Sequence, residues 1–174
     1  KPGLLDLPCG TGRVLHHLLR EGMTVTGADI SQDMIDISKK IADGFENFKG
    51  ASIADAENLE FADNHFDGVT CVRLFGHIPD HVKPKILKEL LRVSKNGIII
   101  SFPKKNWAIT LKRFFDFRFK DKWYEQGKKN WHDMTLSSFS NLLEEHSLEI
   151  VERVETVPFL SSSTVLYINK KLSQ

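Results

Sequence analysis

Over its first hundred residues the chain alternates between short apolar runs and amphipathic stretches of helical spacing, and that alternation admits few folds. Leu4 to Leu7 is the first apolar run, ending in Pro8, Cys9, Gly10, Thr11 and Gly12. Val14, Leu15, Leu18 and Leu19 then recur with helical spacing until Gly22 stops the helix. Met23 to Ile30 reads as a strand, and Ser31 as the cap of a helix whose apolar side carries Met34, Ile35, Ile37, Ile41 and Ala42. Further strands are expected at Lys49 to Ile53, Phe66 to Leu74 and Gly97 to Phe102. A helix over Val82 to Ser94, with Ile86, Leu87, Leu90, Leu91 and Val93 inward, separates the last two. Strands separated by helices of about ten residues imply right-handed crossovers and a mostly parallel sheet.

The remainder changes character. Thr135 to His146 has amphipathic helical spacing, and Leu148 to Val157 and Thr164 to Ile168 read as strands. Two consecutive strands with a short connection suggest an antiparallel hairpin at one sheet edge. With 174 residues the chain is the size of one domain. Lys plus Arg is 24 and Asp plus Glu is 23, which argues against a wholly basic nucleic-acid binder but leaves room for a local patch. No apolar run approaches the roughly 18 residues of a transmembrane helix, and the first residues carry neither a secretory apolar run nor an initiator Met. Two cysteines, Cys9 and Cys71, make no disulfide framework and cannot alone fill a zinc site, so no metal is expected. These bounds describe a reduced, soluble, cytoplasmic single domain.

In a doubly wound sheet, ligands sit beyond the carboxyl ends of the strands. The first such turn runs Asp6-Leu7-Pro8-Cys9-Gly10-Thr11-Gly12. Gly10 and Gly12 remove side chains where a ligand would touch backbone, and the next helix offers unpaired N–H groups. Glycines also make tight turns without any ligand, but the next strand ends in an acid. Asp29 lies 17 residues after Gly12, near the spacing of about 20 expected for a carboxylate that accepts from ribose hydroxyls. A dinucleotide fingerprint needs a third glycine three positions after Gly12. Leu15 stands there, which weakens an NAD reading.

The segments LLDLPCGTG, GADIS, ADAENLEF, FDGV, FGHIPD and KELLRVSKNGIIISF, in that order, cover roughly residues 4 to 103. Together they resemble the class I S-adenosylmethionine-dependent methyltransferases. The resemblance implies an α/β, Rossmann-like, doubly wound seven-stranded sheet, mostly parallel with an antiparallel C-terminal hairpin. It implies S-adenosylmethionine as cofactor, with Asp6 and the loop Pro8, Cys9, Gly10 and Gly12 against the methionyl part. Asp29 would hold both ribose hydroxyls, with Ile30 beside the adenine. Asp55 would accept from the adenine amino group while the Ala56 N–H faces a ring nitrogen. Backbone carbonyls at Val72 and Arg73 would meet the methionyl ammonium. Pro8 departs from the usual first glycine of the loop, rigidifying it and removing a donor; Glu60 replaces a common proline on an exposed turn. Family members usually carry an N-terminal helix over the cofactor, so a chain that starts almost at its first strand reads as a fragment or as a minimal form with an open site.

Residues 104 to 134 stand apart. From Lys104 to Lys129 nine Lys or Arg face Asp116, Asp121 and Glu125, a local balance of +6, and eight of the chain's 17 aromatics fall within 104 to 134. One reading is a substrate lid, with Trp107, Trp123, Tyr124 and Trp131 walling an aromatic or lipid-like acceptor and the basic residues attracting an acidic group or a membrane surface. The other is a helical excursion whose aromatics complete the core. No base-reading module is recognisable, so DNA is not expected and RNA ranks below a small-molecule acceptor; peripheral membrane contact stays open, and the oligomeric state is undetermined. His77, after the fourth strand, and His132, at the end of the basic stretch, are candidate general bases, each weighed against a purely structural role. His16 and His17 fall on the first helix as surface or satisfied residues, and Cys9 reads as packing rather than as a nucleophile. The function expected is methyl transfer to a small molecule. A cofactor-binding module without turnover and an NAD-dependent oxidoreductase are the alternatives.

Overall fold

A computed structural model describes residues 3–103, 136–145, 148–155 and 163–170. Strands β1 (Leu4–Asp6), β2 (Val25–Asp29), β3 (Phe48–Ile53), β4 (Gly68–Cys71) and β5 (Ile98–Pro103) alternate with helices α1 (Arg13–Arg20), α2 (Gln32–Ile41) and α3 (Lys83–Val93). Helix α4 (Leu136–Glu145) precedes β6 (Leu148–Glu155) and β7 (Ser163–Lys170). The seven strands form one sheet in the order β3-β2-β1-β4-β5-β7-β6. The first five pair in parallel, whereas β7 is antiparallel to both β5 and β6. This is the doubly wound sheet with a C-terminal antiparallel hairpin that the sequence predicts. The hairpin is inserted so that β6, not β7, forms the edge.

Each sheet face has its own apolar layer. Leu15 and Leu19 of α1 and Ile35 of α2 pack with Val25 and Ala51 on one side. On the other, Ile86, Leu87, Leu90 and Val93 of α3 and Phe139, Leu142 and Leu143 of α4 pack with Leu5, Val69, Ile98, Ile100, Leu166 and Ile168. A fully buried side chain of this kind contributes about 1.5–3 kcal/mol, so these layers dominate the stability of the sheet. Pro84, in the first turn of α3, fits there because that N–H has no helical partner. Among the described residues, no helix is long and apolar enough to cross a membrane.

Several expected boundaries shift for identifiable reasons. The strand expected from Met23 starts at Val25, because the Met23 N–H bonds back to Leu18 O and closes the end of α1. The strand expected over Phe66 to Leu74 contracts to Gly68–Cys71. Phe66 makes only an isolated bridge with Ser94, and Arg73 turns the chain with φ +67°. Ser31 occupies the N-cap of α2 but its side chain makes no capping bond. Its N–H donates to Asp29 Oδ1 at 3.0 Å instead. On α2 the inward stripe is Ile35, Ser38 and Ala42, while Ile37 and Ile41 lie on the flank, 38% and 39% exposed. The expected hairpin connection and the ends of its strands lie partly outside the described residues.

Candidate functional site

Strand order reverses between β1 and β4, so the crevice beyond their carboxyl ends is where this architecture places a ligand. Register brings the chain's acids there. Asp6 pairs with Gly27 on one side and Thr70 on the other, and Asp29 pairs with Ile53. Asp55 follows β3, and Val72 and Arg73 follow β4. Asp6, Asp29, Asp55, Val72 and Arg73 thus line the ends of four adjacent strands.

Asp6 is fully buried. Its Oδ1 accepts from the Thr70 hydroxyl at 2.8 Å, while Oδ2 has no hydrogen-bond partner among the described residues. Burial is the main cause that lifts its pKa to about 6; the Thr70 bond and a weaker pull from the Leu15 N–H oppose it, and the Asp29 charge adds to the rise. A buried carboxylate oxygen with an open acceptor position suits a cationic donor such as an ammonium. Asp29 is differently placed. Its Oδ2 accepts from the Gly10 N–H at 2.9 Å and its Oδ1 from Ser31 N–H, so the carboxylate straps the glycine loop and the start of α2 to the end of β2. Each oxygen keeps lone-pair capacity for a diol, but an amide in its place would turn one donor-facing oxygen into a second donor.

The two glycines of the loop do different work. Gly10, at φ +51°, has open space where a Cβ would stand, as a ligand-facing backbone position requires. Gly12, at φ +82°, has Ser38 Cα only 3.2 Å from that position, so its missing side chain also lets α2 approach the loop. At Gly12 helix packing claims the space that a side chain would take, in addition to any role of its backbone. A Cβ on Gly27 would meet Leu15 Cδ1 at 2.9 Å and Ala51 Cβ at 3.1 Å. The close helix-to-strand approach that a third loop glycine gives in dinucleotide folds comes here from the strand side. Pro8 joins the loop through a cis peptide bond with Leu7.

Cys9 is buried, its Sγ 3.7 Å from Ser38 Oγ, and burial pushes its thiol up to about 11. It is a packing residue and stays protonated at neutral pH. His16 packs edge-on against Phe45. Ile30 is 73% exposed and Ile53 is 56% exposed, an apolar pair at the ends of neighbouring strands. Just after β3 the turn Asp55–Asn58 is closed by an Asn58 N–H to Asp55 O bond of 3.0 Å. Asp55 Oδ1 accepts from Glu57 N–H at 2.9 Å. Asp55 is exposed and Ala56 half-buried.

Beyond β4, the Arg73 N–H donates to Ser101 Oγ at 2.7 Å, and Phe75 is buried against the Phe139 ring of α4. These two contacts hold the loop that carries His77. Partial burial, and then the Arg73 charge, hold the His77 imidazole below its ordinary pKa of 6.5, so the ring is neutral at pH 7 and able to accept a proton. His132, Trp107, Trp123, Tyr124 and Trp131 lie outside the described residues. Thr70, Ser101, Gly27 and Ser38 were not singled out by sequence reasoning. Each acts across strands or between helix and strand, and only the register of the sheet reveals that.

A cleft of about 510 Å³ lies elsewhere, lined by Gly3, Thr26, Lys49, Asp63, His65 and Phe66 among others. These residues precede or begin strands, so the cleft sits at the amino ends, on the opposite edge from Asp6, Asp29 and Asp55. Among the described residues, no group of His, Cys, Asp or Glu is arranged to hold a metal ion.

Comparison with known proteins agrees with this fold. The chain is 35% identical over 94 residues to a ubiquinone biosynthesis O-methyltransferase of Coxiella burnetii, covering 54% of this chain and 39% of that protein. It is 29% identical over 147 residues to a demethylmenaquinone methyltransferase of Staphylococcus epidermidis, covering 78% of this chain and 60% of that one. The chain therefore spans less than two thirds of these curated relatives. Its fold matches the crystal structure of the magnesium protoporphyrin IX methyltransferase of Synechocystis PCC 6803 with bound SAH. The TM-score is 0.76 at 19% identity, over 98% of this chain and 75% of that chain. A family model described as a methyltransferase domain matches residues 4–97, more than half of the chain. The chain thus belongs to the methyltransferase domain family, among the class I S-adenosylmethionine-dependent methyltransferases.

Proposed function

We propose that this chain transfers a methyl group from S-adenosylmethionine to a small, ring-bearing, largely apolar acceptor. The observation that carries the reading is the fully buried Asp6 carboxylate whose Oδ2 has no partner among the described residues, set at the switch point beside the Gly10 loop that Asp29 holds. An ammonium completes that oxygen, the free acceptor capacity of Asp29 suits a ribose diol, and the exposed Ile30 and Ile53 suit the faces of an adenine ring. Asp55 would accept from the adenine amino group and Ala56 N–H would face a ring nitrogen. The quinone names of two relatives and the porphyrin of a structural neighbour support a ring-bearing acceptor. The chain is read as one catalytic domain.

When bound, the cofactor supplies an activated methyl carbon on a sulfonium, which departs as a neutral thioether. What the protein adds is alignment. The Gly10 loop and Asp29 fix the donor, and the Arg73–Phe75 turn forms the adjoining wall where an acceptor would lie in line with the sulfur–carbon bond. A neutral His77 would take the proton released by a hydroxyl or amine acceptor.

Calorimetric titration with S-adenosylmethionine, with its demethylated product S-adenosylhomocysteine (SAH) and with NAD tests the cofactor half of this reading. SAH is expected to bind and raise the apparent melting temperature. Binding of NAD without binding of either form of the methyl donor contradicts it. A screen of hydroxylated quinone and phenol acceptors then tests turnover.

A further inference from the structure

The segment between β3 and β4 carries the Asp55–Asn58 turn, and three side chains of α3 that the proposed chemistry does not use reach it: Lys85, whose exposed Nζ lies 3.4 Å from Glu57 Oε2, and the pair Glu89 and Arg92. Arg92 commits every donor of its guanidinium. Nε donates to Glu89 Oε1 at 2.8 Å, one terminal nitrogen to Phe61 O at 2.7 Å and Asp63 Oδ1 at 2.8 Å, and the other to Leu59 O and Glu89 Oε2, both at 2.8 Å. Glu89 Oε2 accepts in turn from the Leu59 N–H at 2.9 Å. The Leu59 peptide groups are therefore gripped from both sides by one ion pair, the residue immediately after the turn closed by Asp55 and Asn58. At the other end of the turn, Ala54 N–H is bonded to Asp29 O at 3.0 Å.

The pair is held electrostatically as well. The guanidinium, through its hydrogen bonds first, holds the Glu89 carboxyl below its ordinary range. Leu59 is buried. Nothing in the packing of Leu59 alone demands a charged fork with five donors, because a buried leucine is held by its apolar neighbours. The fork instead fixes backbone carbonyl groups of Leu59 and Phe61 in direction, which apolar packing does not do.

We infer that Glu89 and Arg92 are positioning residues for adenine recognition, setting the Asp55 carboxylate and the Ala56 N–H at the spacing an adenine edge needs. The inference rests on the reading of Asp55 and Ala56 given above and deepens it. Adenine offers an amino donor and a ring-nitrogen acceptor. Hypoxanthine reverses both, so a correctly set pair rejects the inosyl ligand, and a loosened pair does not.

The test compares SAH with S-inosylhomocysteine by calorimetry in the parent chain, in Arg92→Lys and in Glu89→Gln. Glu89→Gln keeps the size of the side chain and Arg92→Lys keeps its charge, and Glu89→Gln retains one acceptor for Leu59 should Arg92→Lys fold poorly. The parent is expected to prefer the adenosyl ligand by about 30-fold, the size of one or two well-made hydrogen bonds to a charged group. In the folded variants that preference should shrink to a few-fold through weaker SAH binding, with inosyl binding almost unchanged. A merely stabilising ion pair would lower both affinities equally or neither. Full preference retained in a folded variant, or equal loss for both ligands, overturns this inference and leaves the cofactor reading intact. A parent that binds SAH without any preference overturns the Asp55 assignment together with the inference.

Discussion

Charging Asp6 at neutral pH costs the fold free energy, and that cost is measurable. Its pKa is about 6 in the folded chain against an ordinary value of 3.8. Between these values the folded state keeps a proton that the unfolded state has released, so this group's contribution to stability falls as pH rises from about 4 to about 6. Above that window the full cost applies, about 3 kcal/mol from the size of the shift. Asp6→Asn keeps an acceptor for Thr70 and removes the titration. Urea unfolding at pH 4.5 and pH 7.5 should show that the parent loses more stability than the variant on going to the higher pH. Equal losses in the two proteins would mean that Asp6 is not the buried, uncompensated acid described here. The variant should also bind SAH more weakly, because a cationic ammonium loses its carboxylate. Asp6 and Asp29 were legible in the sequence as acids ending strands. That Asp6 depends on Thr70, and that Asp29 already carries two backbone N–H groups, was not legible, because the pairing depends on how strands and loops meet in the sheet.

At the scale of elements, hydrophobic spacing identified every described helix and strand, and the two apolar layers followed from it. The pattern was weakest where polar atoms decide the packing. Ser38 is buried on α2 because its hydroxyl bonds to Ile35 O and Cys9 Sγ lies against it, while two isoleucines of the same helix stay on the flank. Helical spacing cannot foresee a serine that satisfies itself on its own backbone. The α1–β2 contact is likewise a matter of space. A methyl added at Gly27 would stand 2.9 Å from Leu15 Cδ1 and 3.1 Å from Ala51 Cβ, so Gly27→Ala overfills the layer. Such overpacking costs roughly 1–2 kcal/mol, and most of it should be recovered by shortening the partner in Gly27→Ala/Leu15→Val. Thermal or denaturant unfolding of the parent, the single and the double variant checks this. A Gly27→Ala chain as stable as the parent would show that the two elements can separate freely, against the close approach seen here.

For the whole molecule, the carboxyl edge of the sheet concentrates what the proposed cationic nucleoside ligand needs, while the cleft of about 510 Å³ lies at the amino edge. The reversal of strand order between β1 and β4 already favours the carboxyl edge. The side chains favour the same edge: a buried carboxylate oxygen without a partner among the described residues, a glycine backbone facing open space and two exposed isoleucines. The sequence made that edge legible through its strand-to-loop order, whereas the amino-edge cleft arises from a β3–β4 segment whose path no local pattern encodes. Amide hydrogen exchange with and without saturating SAH locates the ligand most directly. Protection is predicted at the Leu7–Arg13 loop, at Ile30–Gln32 and at the Ala54–Asn58 turn, with the Ala62–Phe66 segment unchanged. Protection confined to Ala62–Phe66 and the start of β3, or none at the carboxyl edge despite bound SAH, would contradict the account.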